Sequence, residues 1–342
     1  MSKIVFWIKN ARSISLPQSA LPCLTAIVLC IGQEGFLWWL ALPILLGICS
    51  AHLGMNLADD YFDYKHDSRT RADISSTSVR ARMEKCHYLG EGKATVSQLG
   101  WAIVGFLAFA ALMGATAFVA QWLIHGWQAA MGIVIYAVLG LFVGINYSGK
   151  PLELGYHGFG ELVIGLMFGP LNMLGVQAAL TGAPFSWQML CMSVGIGCMV
   201  TNIVYVHSVM EVNADAELGK MTFARLLKNK AAMVIFIGFF AMMPFVMLGL
   251  GIAMGWWSAW YLLTLATLPM SVYLIHSTRL FAYGLPREDT PHWWMGPMGN
   301  WEGYKKAGID WFLYRWLLAR NICTFFCLIL MIVCCVSLVF RG

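Results

Sequence analysis

The sequence predicts an all-α membrane protein with nine transmembrane helices, and three observations indicate this fold class. Hydrophobic residues make up 59% of the 342 residues, charged residues make up only 11%, and the mean hydropathy is +0.69. A chain of this composition has too little polar surface to cover a soluble globular protein of its size. Six long segments contain no Asp, Glu, Lys or Arg, and the basic residues cluster between them.

The charge-free segments define the predicted spans, because a transmembrane helix needs about 20 consecutive apolar residues. The segments are 13–33, 35–58, 94–149, 162–210, 231–278 and 321–340. The three longest are each long enough for two spans, so each must fold back once. We expect these turns near His125, Gly182 and Gly255, where Gly, Trp and Pro residues interrupt the pattern. Three single and three double segments therefore give nine spans.

The distribution of Lys and Arg predicts the orientation, since short loops rich in these residues stay in the cytoplasm. With a cytoplasmic N-terminus, 21 of the 22 basic residues fall on the cytoplasmic side, and only Arg341 falls outside. We therefore expect a multi-pass integral protein of the inner or plasma (cytoplasmic) membrane. Residues 1–342 would form a single nine-helix domain with its N-terminus and active-site face in the cytoplasm. The predicted cytoplasmic loops are 59–93, 211–230 and 279–320.

A dense acidic cluster follows the second charge-free segment, in the sequence N-L-A-D-D-Y-F-D-Y-K-H-D-S-R-T-R-A-D. It contains five of the chain's seventeen acidic residues, namely Asp59, Asp60, Asp63, Asp67 and Asp73. Spacings of three and four residues place Asp60, Asp63 and Asp67 on one face of a continuing helix. Like charges this close repel each other unless cations hold them together. A bound divalent metal ion is the simplest explanation for the cluster.

A second acidic cluster follows the sixth span, in the sequence H-S-V-M-E-V-N-A-D-A-E-L-G-K between His207 and Lys220. Glu211 and Asp215 are four residues apart, so a continuing helix would place both carboxylates on one face. Both clusters thus present a carboxylate stripe at the cytoplasmic end of a helix. Four spans lie between them, which suggests a weak internal duplication. The alternative is that both clusters are ordinary solvated connectors.

Carboxylate stripes of this kind indicate a particular chemistry. Oxygen-only ligands favour Mg²⁺ or Mn²⁺ over zinc. Protein-bound Mg²⁺ usually bridges carboxylates to substrate phosphates, which makes a diphosphate ester the expected ligand. The apolar spans are suited to a long hydrocarbon tail, so the sequence predicts ionisation of a lipid diphosphate assisted by a metal ion. The basic residues available to neutralise phosphate charge are Lys65, Arg69, Arg71, Lys150, Lys220 and Arg225.

The segment N-L-A-D-D-Y-F-D at 56–63 resembles the N-x-x-x-D-x-x-D first motif of the UbiA superfamily of intramembrane prenyltransferases. Within that superfamily it is most similar to the 1,4-dihydroxy-2-naphthoate prenyltransferases of menaquinone synthesis. The resemblance covers the chain from its N-terminus to about residue 230 and implies a nine-helix fold. Further segments agree in order and spacing: A-R-S-I-S-L-P at 11–17, Y-S-G-K-P-L-E-L-G-Y-H-G-F-G-E-L at 147–162, F-G-P at 168–170 and G-K-M-T-F-A at 219–224.

The resemblance implies that two Asp-rich motifs bind Mg²⁺ and an isoprenoid diphosphate, and that an electron-rich aromatic acceptor attacks the allylic cation. The implied partners are therefore an isoprenoid diphosphate, a small aromatic acceptor and membrane lipid, and no nucleic acid. The implied metal ligands, with Mn²⁺ as an alternative ion, are Asp60, Asp63, Asp67, Glu211 and Asp215. The implied catalytic residues are Asp60, Asp63, Glu211 and Asp215. The substrate-binding candidates are Asn56, Lys65, Asp67, Arg69, Tyr147, Lys150, His207 and Lys220.

The second motif departs from the pattern of these enzymes, which is similar to N-N-x-R-D-x-x-x-D. Glu211 stands for the first Asp and Asp215 keeps the second, while Met210 replaces the Arg. His207 and Ser208 replace the two Asn residues. Glu can still bind magnesium, but loss of the Arg removes a bidentate phosphate donor. Either His207 and a lysine compensate for that loss, or the second substrate differs from the naphthoate.

Three functions remain open on the sequence alone: aromatic prenyl transfer, cyclisation of the isoprenoid diphosphate without an acceptor, and non-catalytic carriage of a lipid or ion. The first two share the metal site and differ in whether an acceptor is consumed. A carrier is expected to place ionisable residues near the middle of the bilayer. Here nearly all of them lie at one edge of the predicted spans, which argues against transport.

Three further features have weaker sequence signals. Glu161, near the start of span five, either takes part in function or caps that helix. His52 lies one turn before Asn56 and either bonds a neighbouring helix or touches substrate. The stretch 291–318 contains five of the fifteen Trp residues, and we interpret it as a cytoplasmic amphipathic segment that either anchors at the membrane surface or acts as a lid.

Overall fold

A computed structural model of the protein describes residues 2–66, 86–217 and 220–340. Within these ranges it is all helical and contains no strand, and nine segments are long and apolar enough to cross a membrane. The predicted multi-pass, nine-span architecture is therefore confirmed. The spans are Ser13–Cys30, Trp38–Lys65, Val96–His125, Trp127–Ser148, Gly160–Thr181, Trp187–Met210, Lys230–Ala253, Ala259–Tyr283 and Asp310–Val339.

The secondary structure consists of α-helices joined by short 3₁₀ and π turns. In chain order the described α-helices are α1 (Lys3–Asn10), α2 (Pro17–Cys30), α3 (Ala41–His66), α4 (His87–Gly90), α5 (Val96–His125), α6 (Trp127–Ser148), α7 (Gly160–Leu166), α8 (Asn172–Thr181), α9 (Trp187–Met210), α10 (Val212–Glu217), α11 (Phe223–Leu227), α12 (Lys230–Ala253), α13 (Leu268–Tyr283), α14 (Trp301–Lys306) and α15 (Asp310–Val339). The 3₁₀ turns are Ser13–Ser15, Trp38–Leu40, Ala259–Thr267 and Trp293–Met295, and Met167–Leu171 is a π-helical turn.

The three longest charge-free segments fold back where the sequence predicts. Gly126, Gly182 and Gly255 end the helices there, with φ values of 88°, 72° and 72°. Such positive φ angles are strained for residues with a Cβ atom. At Gly182 space is limiting as well, because a Cβ atom would lie 2.9 Å from both Ala129 Cβ and Gln121 Oε1. Only glycine fits this turn without rearrangement.

The described residues divide into two compact units. The first unit contains 2–66, 86–153 and 170–190, and the second contains 154–169, 191–217 and 220–340. In the first unit α3 packs along α5 and also contacts α2, α6 and α8. At the end of α3 that carries the acidic cluster, Leu53 and Leu57 join a buried group with Ala11, Tyr88 and Leu99. This group fixes the N-terminal segment and α4 beside the acidic residues.

In the second unit α7 packs closely on α9. A Cβ atom on Gly165 would lie 2.8 Å from the Gly197 carbonyl oxygen, and one on Gly169, in the π-helical turn after α7, would lie 2.6 Å from Gly197 Cα. Small residues on both sides therefore permit backbone contact, as is common between membrane helices. Further along the chain α12 packs on α13, and α13 packs on α15.

Two predicted boundaries are corrected by the structure. The helix α3 continues to His66, so Asp59, Asp60 and Asp63 lie on helical backbone and not in a loop that starts at 59. The last span starts at Asp310, eleven residues before the predicted 321. The charge-free criterion placed that start too late because it excludes every arginine. An arginine is tolerated inside a span when its charge is paired and hydrogen-bonded.

Two arginines, Arg315 and Arg320, lie inside the span that starts at Asp310, and Arg315 is 0% exposed. Its guanidinium donates to both carboxylate oxygens of Asp289, at 2.6 and 3.2 Å, and to the Ser277 carbonyl oxygen at 3.2 Å. Tyr314 and Asn321, on the same helix, donate to the carbonyl oxygens of Thr290 at 3.2 Å and of Met295 at 2.9 Å. The connector between the last two spans is thereby tied along α15. This agrees with an anchoring segment, and its depth in the membrane stays a prediction.

Replacing Asp289 with Ala is expected to lower the free energy of unfolding by about 3 kcal/mol, because it leaves the buried Arg315 charge without its partner. Glu288→Ala is the matched control, since that neighbouring carboxylate is exposed and should change stability by less than about 0.5 kcal/mol. The midpoint of thermal unfolding in detergent measures both effects. Equal midpoints for the two variants would contradict this role for the ion pair.

Candidate functional site

The first acidic segment, defined as 56–63, lies on the last turns of α3 in the first unit. The chain just before α2 crosses this end of the helix and brings Arg12 to it. The Arg12 Nη2 atom donates to the Asn56 carbonyl oxygen at 2.9 Å and to Asp59 Oδ2 at 3.0 Å. It also lies 3.4 Å from Asp60 Oδ1. One guanidinium therefore contacts two adjacent carboxylates.

The backbone conformation of Arg12 and the charges of Asp59 and Asp60 hold its side chain in this place. Its φ is 58°, in the left-handed region that residues with a Cβ atom rarely adopt. Burial alone would lower the pKa of the guanidinium, but the charges of Asp60 and Asp59 outweigh it and raise the pKa above its ordinary value. Arg12 is consequently a permanent cation. Its positive charge offsets the repulsion between the neighbouring aspartates, so this repulsion alone does not require a metal ion.

Two further side chains donate to the same carboxylates. The Ser148 hydroxyl, at the end of α6, donates to Asp59 Oδ1 at 2.6 Å. The Tyr88 hydroxyl, on α4, donates to Asp60 Oδ2 at 3.1 Å. Burial and the neighbouring Asp60 charge raise the pKa of Tyr88, so the phenol stays protonated and remains a donor. Asp60 is only 2% exposed. The chain before α2 and the helices α4 and α6 thus each contribute a donor to this pair of aspartates on α3.

Asn56 contacts the chain just before α2, and its substrate-binding assignment stays a prediction. Its side-chain amide donates to the Ala11 carbonyl oxygen at 2.9 Å and to Ser15 Oγ at 3.1 Å. The His52 ring lies between Ser15 Oγ at 3.1 Å and Ser19 Oγ at 2.6 Å. Asn56 and His52 therefore join α3 to the chain at the start of α2. For His52 this favours the structural alternative, and for Asn56 it indicates that the side chain positions the Arg12 segment.

The other candidates of the first unit have more open positions. Asp63 and Tyr147 are half-buried, and Lys150 is exposed in the turn after α6. Lys65 is exposed and lies 4.4 Å from the Tyr61 ring centroid, where its ammonium also bonds the Tyr61 hydroxyl. Asp67 and Arg69 lie outside the described residues. Their assignments, like those of Lys65, Tyr147 and Lys150, stay predictions.

The second acidic segment, defined as 207–220, belongs to the second unit. The amide of Glu211 donates to the His207 carbonyl oxygen at 3.0 Å, and that of Asp215 donates to the Glu211 carbonyl oxygen at 2.8 Å. The helical path therefore continues past the end of α9, as the i, i+4 spacing predicts. Glu211 and Asp215 are both buried, at 3% and 0% exposure. His207 Nε2 lies 2.7 Å from Glu211 Oε2.

Lys220 and Arg225 complete this segment. The Lys220 amide donates to the Asp215 carbonyl oxygen at 2.9 Å. The guanidinium of Arg225 donates to the carbonyl oxygens of Asp215, at 3.4 Å, and of Lys220. The Arg225 side chain therefore holds the backbone of this loop, and its role in neutralising phosphate stays a prediction. The Lys220 side chain stays a predicted phosphate contact.

The carboxylates fit a hard divalent cation in chemistry. Asp59, Asp60 and Asp63 offer oxygen atoms only, which is the donor type that Mg²⁺ prefers. Among the described residues, however, no three His, Cys, Asp or Glu side chains form a ready metal-binding group. Arg12 already contacts Asp59 and Asp60, and Asp67 is not described. The first acidic segment thus offers oxygen donors that suit Mg²⁺, and the Arg12 guanidinium lies among them.

Sequence reasoning missed Arg12, Ser148 and Tyr88 as parts of the site. Arg12 and Ser148 both lie in segments that carry the resemblance, 11–17 and 147–162, so their positions gave a usable signal. Tyr88 gave none, because it follows a long polar stretch and its contact with Asp60 spans 28 residues. Such contacts depend on tertiary packing and not on local spacing.

Comparison with known proteins adds independent information. Residues 19–296 match the model of the UbiA prenyltransferase family. A 1,4-dihydroxy-2-naphthoate octaprenyltransferase from Mycobacterium tuberculosis is 27% identical over 256 residues, which cover 75% of this chain and 81% of the relative. The enzyme of that name from Bacillus subtilis is 26% identical, covering 79% and 81%. A 2-carboxy-1,4-naphthoquinone phytyltransferase from Synechocystis is 29% identical over a shorter region, covering 44% and 48%.

Solved structures resemble the chain in fold. A structure of digeranylgeranylglyceryl phosphate synthase has a TM-score of 0.61 at 13% identity, covering 98% of this chain and 99% of that one. The apo structure of a UbiA homolog from Aeropyrum pernix K1 has a TM-score of 0.56 at 12% identity, covering 99% and 100%. At these identities the likeness establishes the helical architecture alone.

Proposed function

Because the chain belongs to the UbiA prenyltransferase family and is a prenyltransferase, we propose that it transfers an isoprenoid chain from its diphosphate to a small aromatic acceptor. The acceptor in this proposal is 1,4-dihydroxy-2-naphthoate or a related quinone precursor. The observation that carries the proposal is the first acidic segment, with Arg12, Ser148 and Tyr88 directed at its carboxylates. Relatives named for the naphthoate support the acceptor, since they cover three quarters of this chain.

Each acidic segment is proposed to hold Mg²⁺, with Mn²⁺ as the alternative ion. Asp60, Asp63 and Asp67 would serve in the first segment, and Glu211 and Asp215 in the second. A bound divalent ion would supply positive charge to the departing diphosphate. The oxygen-only donors of both segments support this assignment. The phosphate contacts proposed for this chain are Lys65, Arg69, Tyr147, Lys150, His207 and Lys220.

The side chains of the first unit have a definable task in this reaction. The reaction breaks the bond between the allylic carbon and the diphosphate oxygen and forms a carbon–carbon bond to the acceptor ring. The ring carbon that is attacked releases the group it carried, which is a proton or, at a carboxylated position, carbon dioxide. Hydrogen bonds from Arg12, Ser148 and Tyr88 fix the orientation of Asp59 and Asp60 before substrate arrives. Preorganised charges of this kind need no rearrangement while charge develops on the leaving group.

The altered second segment favours a second candidate. Met210 is buried where the related pattern has an arginine, and the His207 ring is engaged with Glu211. His207 therefore does not replace the missing cation in this arrangement, which leaves Lys220 as the proposed substitute. If Lys220 does not suffice, the chain would use a different acceptor or cyclise its isoprenoid. A non-catalytic carrier is a weaker alternative for a member of this family.

The membrane and the orientation also belong to the proposal. We assign the protein to the inner or plasma (cytoplasmic) membrane, with the N-terminus and both acidic segments on the cytoplasmic side. The location of 21 of the 22 basic residues supports this orientation. Accessibility of a cysteine introduced at the exposed Lys150 to a membrane-impermeant thiol reagent would test it in intact cells. Labelling without permeabilisation would contradict the assignment.

Replacing Glu211 with Gln is expected to raise the Mg²⁺ concentration that gives half-maximal activity by roughly tenfold, because the change removes one anionic ligand. Lys305→Ala is the control, since that exposed residue lies on α14 and should leave the Mg²⁺ requirement unchanged. Activity titrated against Mg²⁺ for both purified variants measures the difference. An unchanged titration for the Glu211 variant would limit the metal site to the first segment.

A complementation experiment tests the proposed acceptor. The chain would be expressed in a bacterium that lacks its own 1,4-dihydroxy-2-naphthoate prenyltransferase, and extracted quinones would be analysed by mass spectrometry. The proposal predicts restored menaquinone with the wild-type chain and none with Asp63→Ala. If both chains are present in the membrane and neither restores menaquinone, the acceptor assignment is wrong.

A further inference from the structure

Glu161 is a buried carboxylate that the proposed mechanism does not use. It lies in the first turn of α7 in the second unit and is only 5% exposed. A carboxylate at such a position is costly unless other groups hydrogen-bond to it. Its partners therefore indicate why it is there.

The first partner is the start of α11. The Phe223 amide donates to both carboxylate oxygens of Glu161, at 3.2 Å each. Phe223 is the first residue of that helix, and Thr222 before it occupies the N-cap position with φ −120° and ψ 164°. The Thr222 side chain makes no capping bond, and its buried hydroxyl has no partner among the described residues. Glu161 thus supplies the cap that a threonine ordinarily supplies from within.

The second neighbour of Glu161 is α9, on which α7 packs. A Cβ atom on Gly165, one turn after Glu161, would lie 2.8 Å from the Gly197 carbonyl oxygen. The Ser208 hydroxyl, near the end of α9, donates to the Val204 carbonyl oxygen of its own helix at 3.2 Å. Phe223 lies three residues after Lys220. Glu161 therefore holds the chain directly after the second acidic segment, from a helix that packs on α9.

We propose that Glu161 is a positioning residue that holds the start of α11 and thereby sets the places of Asp215 and Lys220, whose carbonyl oxygens accept from Arg225 on that helix. The inference deepens the proposed function and rests on it for its kinetic consequence. Glu161 acts from outside the segment, through the Phe223 amide at the start of α11. Its expected effect is on the binding of isoprenoid diphosphate and Mg²⁺, and not on the aromatic acceptor.

Hydrogen–deuterium exchange of the purified full chain tests the contact without reference to activity. In Glu161→Ala the Phe223 amide should exchange at least about tenfold faster, since it loses a bond to a charged group. Glu161→Gln keeps one acceptor oxygen and should give an intermediate rate. Glu302→Gln is the control, because that carboxylate is exposed at the start of α14 and its loss should leave Phe223 unchanged.

Steady-state kinetics distinguish a positioning role of Glu161 from a general contribution to stability. For Glu161→Ala the KM for isoprenoid diphosphate and the half-saturating Mg²⁺ concentration should rise about tenfold, in line with one lost charge-assisted bond. The KM for the acceptor should stay as in the wild type. Glu161→Gln should recover part of the loss. A lower kcat with every KM unchanged would show a merely structural role and would overturn the proposal.

Glu161→Gln also serves as the second variant in case Glu161→Ala does not fold. It removes the charge and keeps one acceptor oxygen, so exchange should rise at Phe223 and not in the spans of the first unit. Unchanged exchange in both variants, or faster exchange spread evenly over all spans, would overturn the proposal. A wild-type chain without any transfer activity would refute the proposed function, while the exchange rates would still decide whether Glu161 fixes the segment.

Discussion

Replacing Asp63 with Ala is expected to reduce prenyl transfer by about 100-fold or more, while the protein still folds and enters the membrane. Removal of one preorganised electrostatic group from a catalytic site typically has an effect of about this size. Asp63 is half-buried on α3, one turn beyond the aspartates that Arg12 contacts, and no span boundary depends on it. Turnover by the purified variant measures the effect, and size-exclusion chromatography reports folding.

Asp60 requires a gentler substitution, because it is buried and bonded to Tyr88 and Arg12. Asp60→Asn keeps an oxygen acceptor while removing the charge, and we expect the same loss of turnover with smaller loss of stability. Glu34→Ala is the control for both variants. Glu34 is an exposed acid between the first two spans and should retain full activity. Normal turnover in the Asp63 and Asp60 variants would refute the assignment of the first acidic segment.

Replacing Arg12 with Ala is expected to lower the free energy of unfolding by about 3 kcal/mol, since it leaves Asp59 and Asp60 without their cation. Turnover should fall by about 100-fold, because the carboxylates lose their fixed orientation. Arg12→Lys should recover part of both losses, since a single nitrogen, Nη2, contacts Asn56, Asp59 and Asp60, and an ammonium nitrogen also carries several donor hydrogens. Thermal unfolding in detergent and turnover of the purified variants measure the two effects.

Binding of Mn²⁺, followed by electron paramagnetic resonance, separates Arg12 from the metal ligands. Arg12→Ala should retain Mn²⁺ binding, because its carboxylates remain, whereas Asp63→Ala should lose affinity at the first segment. Lys9→Ala is the control, since that lysine is exposed in the last turn of α1 and lies three positions before Arg12 in the chain. Wild-type stability and turnover in Arg12→Ala would contradict the role given to this residue.

The presence of Arg12 changes how the acidic cluster is understood. In the sequence, five aspartates lie within fifteen residues, and their mutual repulsion predicts that cations bind among them. A bound metal ion is the simplest such cation on the sequence alone. The structure supplies an internal cation to two of them. A divalent ion would therefore bind beside a positive charge, which favours ligands that bring negative charge of their own. A diphosphate that binds together with the metal meets this condition.

Much of the fold could be predicted from the sequence, because charge-free length and helical spacing are local properties. The nine spans, their turns at His125, Gly182 and Gly255, and the helical run through Glu211 and Asp215 all follow from such patterns. The start of the last span did not, because Arg315 and Arg320 lie inside it, and the charge of Arg315 is compensated by Asp289, which lies 26 residues away in the chain. No local rule indicates that partner.

The site was predicted in part for the same reason. The positions of the carboxylates follow from their spacing in the sequence. Their hydrogen-bond donors come from distant parts of the chain: Arg12 is 47 positions from Asp59, and Ser148 is 89 positions from it. Asn56 matched a motif by position, yet its side chain bonds the chain at Ala11 and Ser15. A motif match predicts which residue type is present. The atoms that it contacts depend on how the helices pack.

Product analysis tests the central claim most directly. Purified protein would be incubated with Mg²⁺ and geranylgeranyl or farnesyl diphosphate, with and without 1,4-dihydroxy-2-naphthoate, and the products analysed by mass spectrometry. The account predicts an isoprenoid–acceptor adduct that requires both the divalent ion and the acceptor and is absent with Asp63→Ala. Release of diphosphate at the same rate without acceptor, and no adduct with it, would contradict aromatic prenyl transfer and favour cyclisation or a different acceptor.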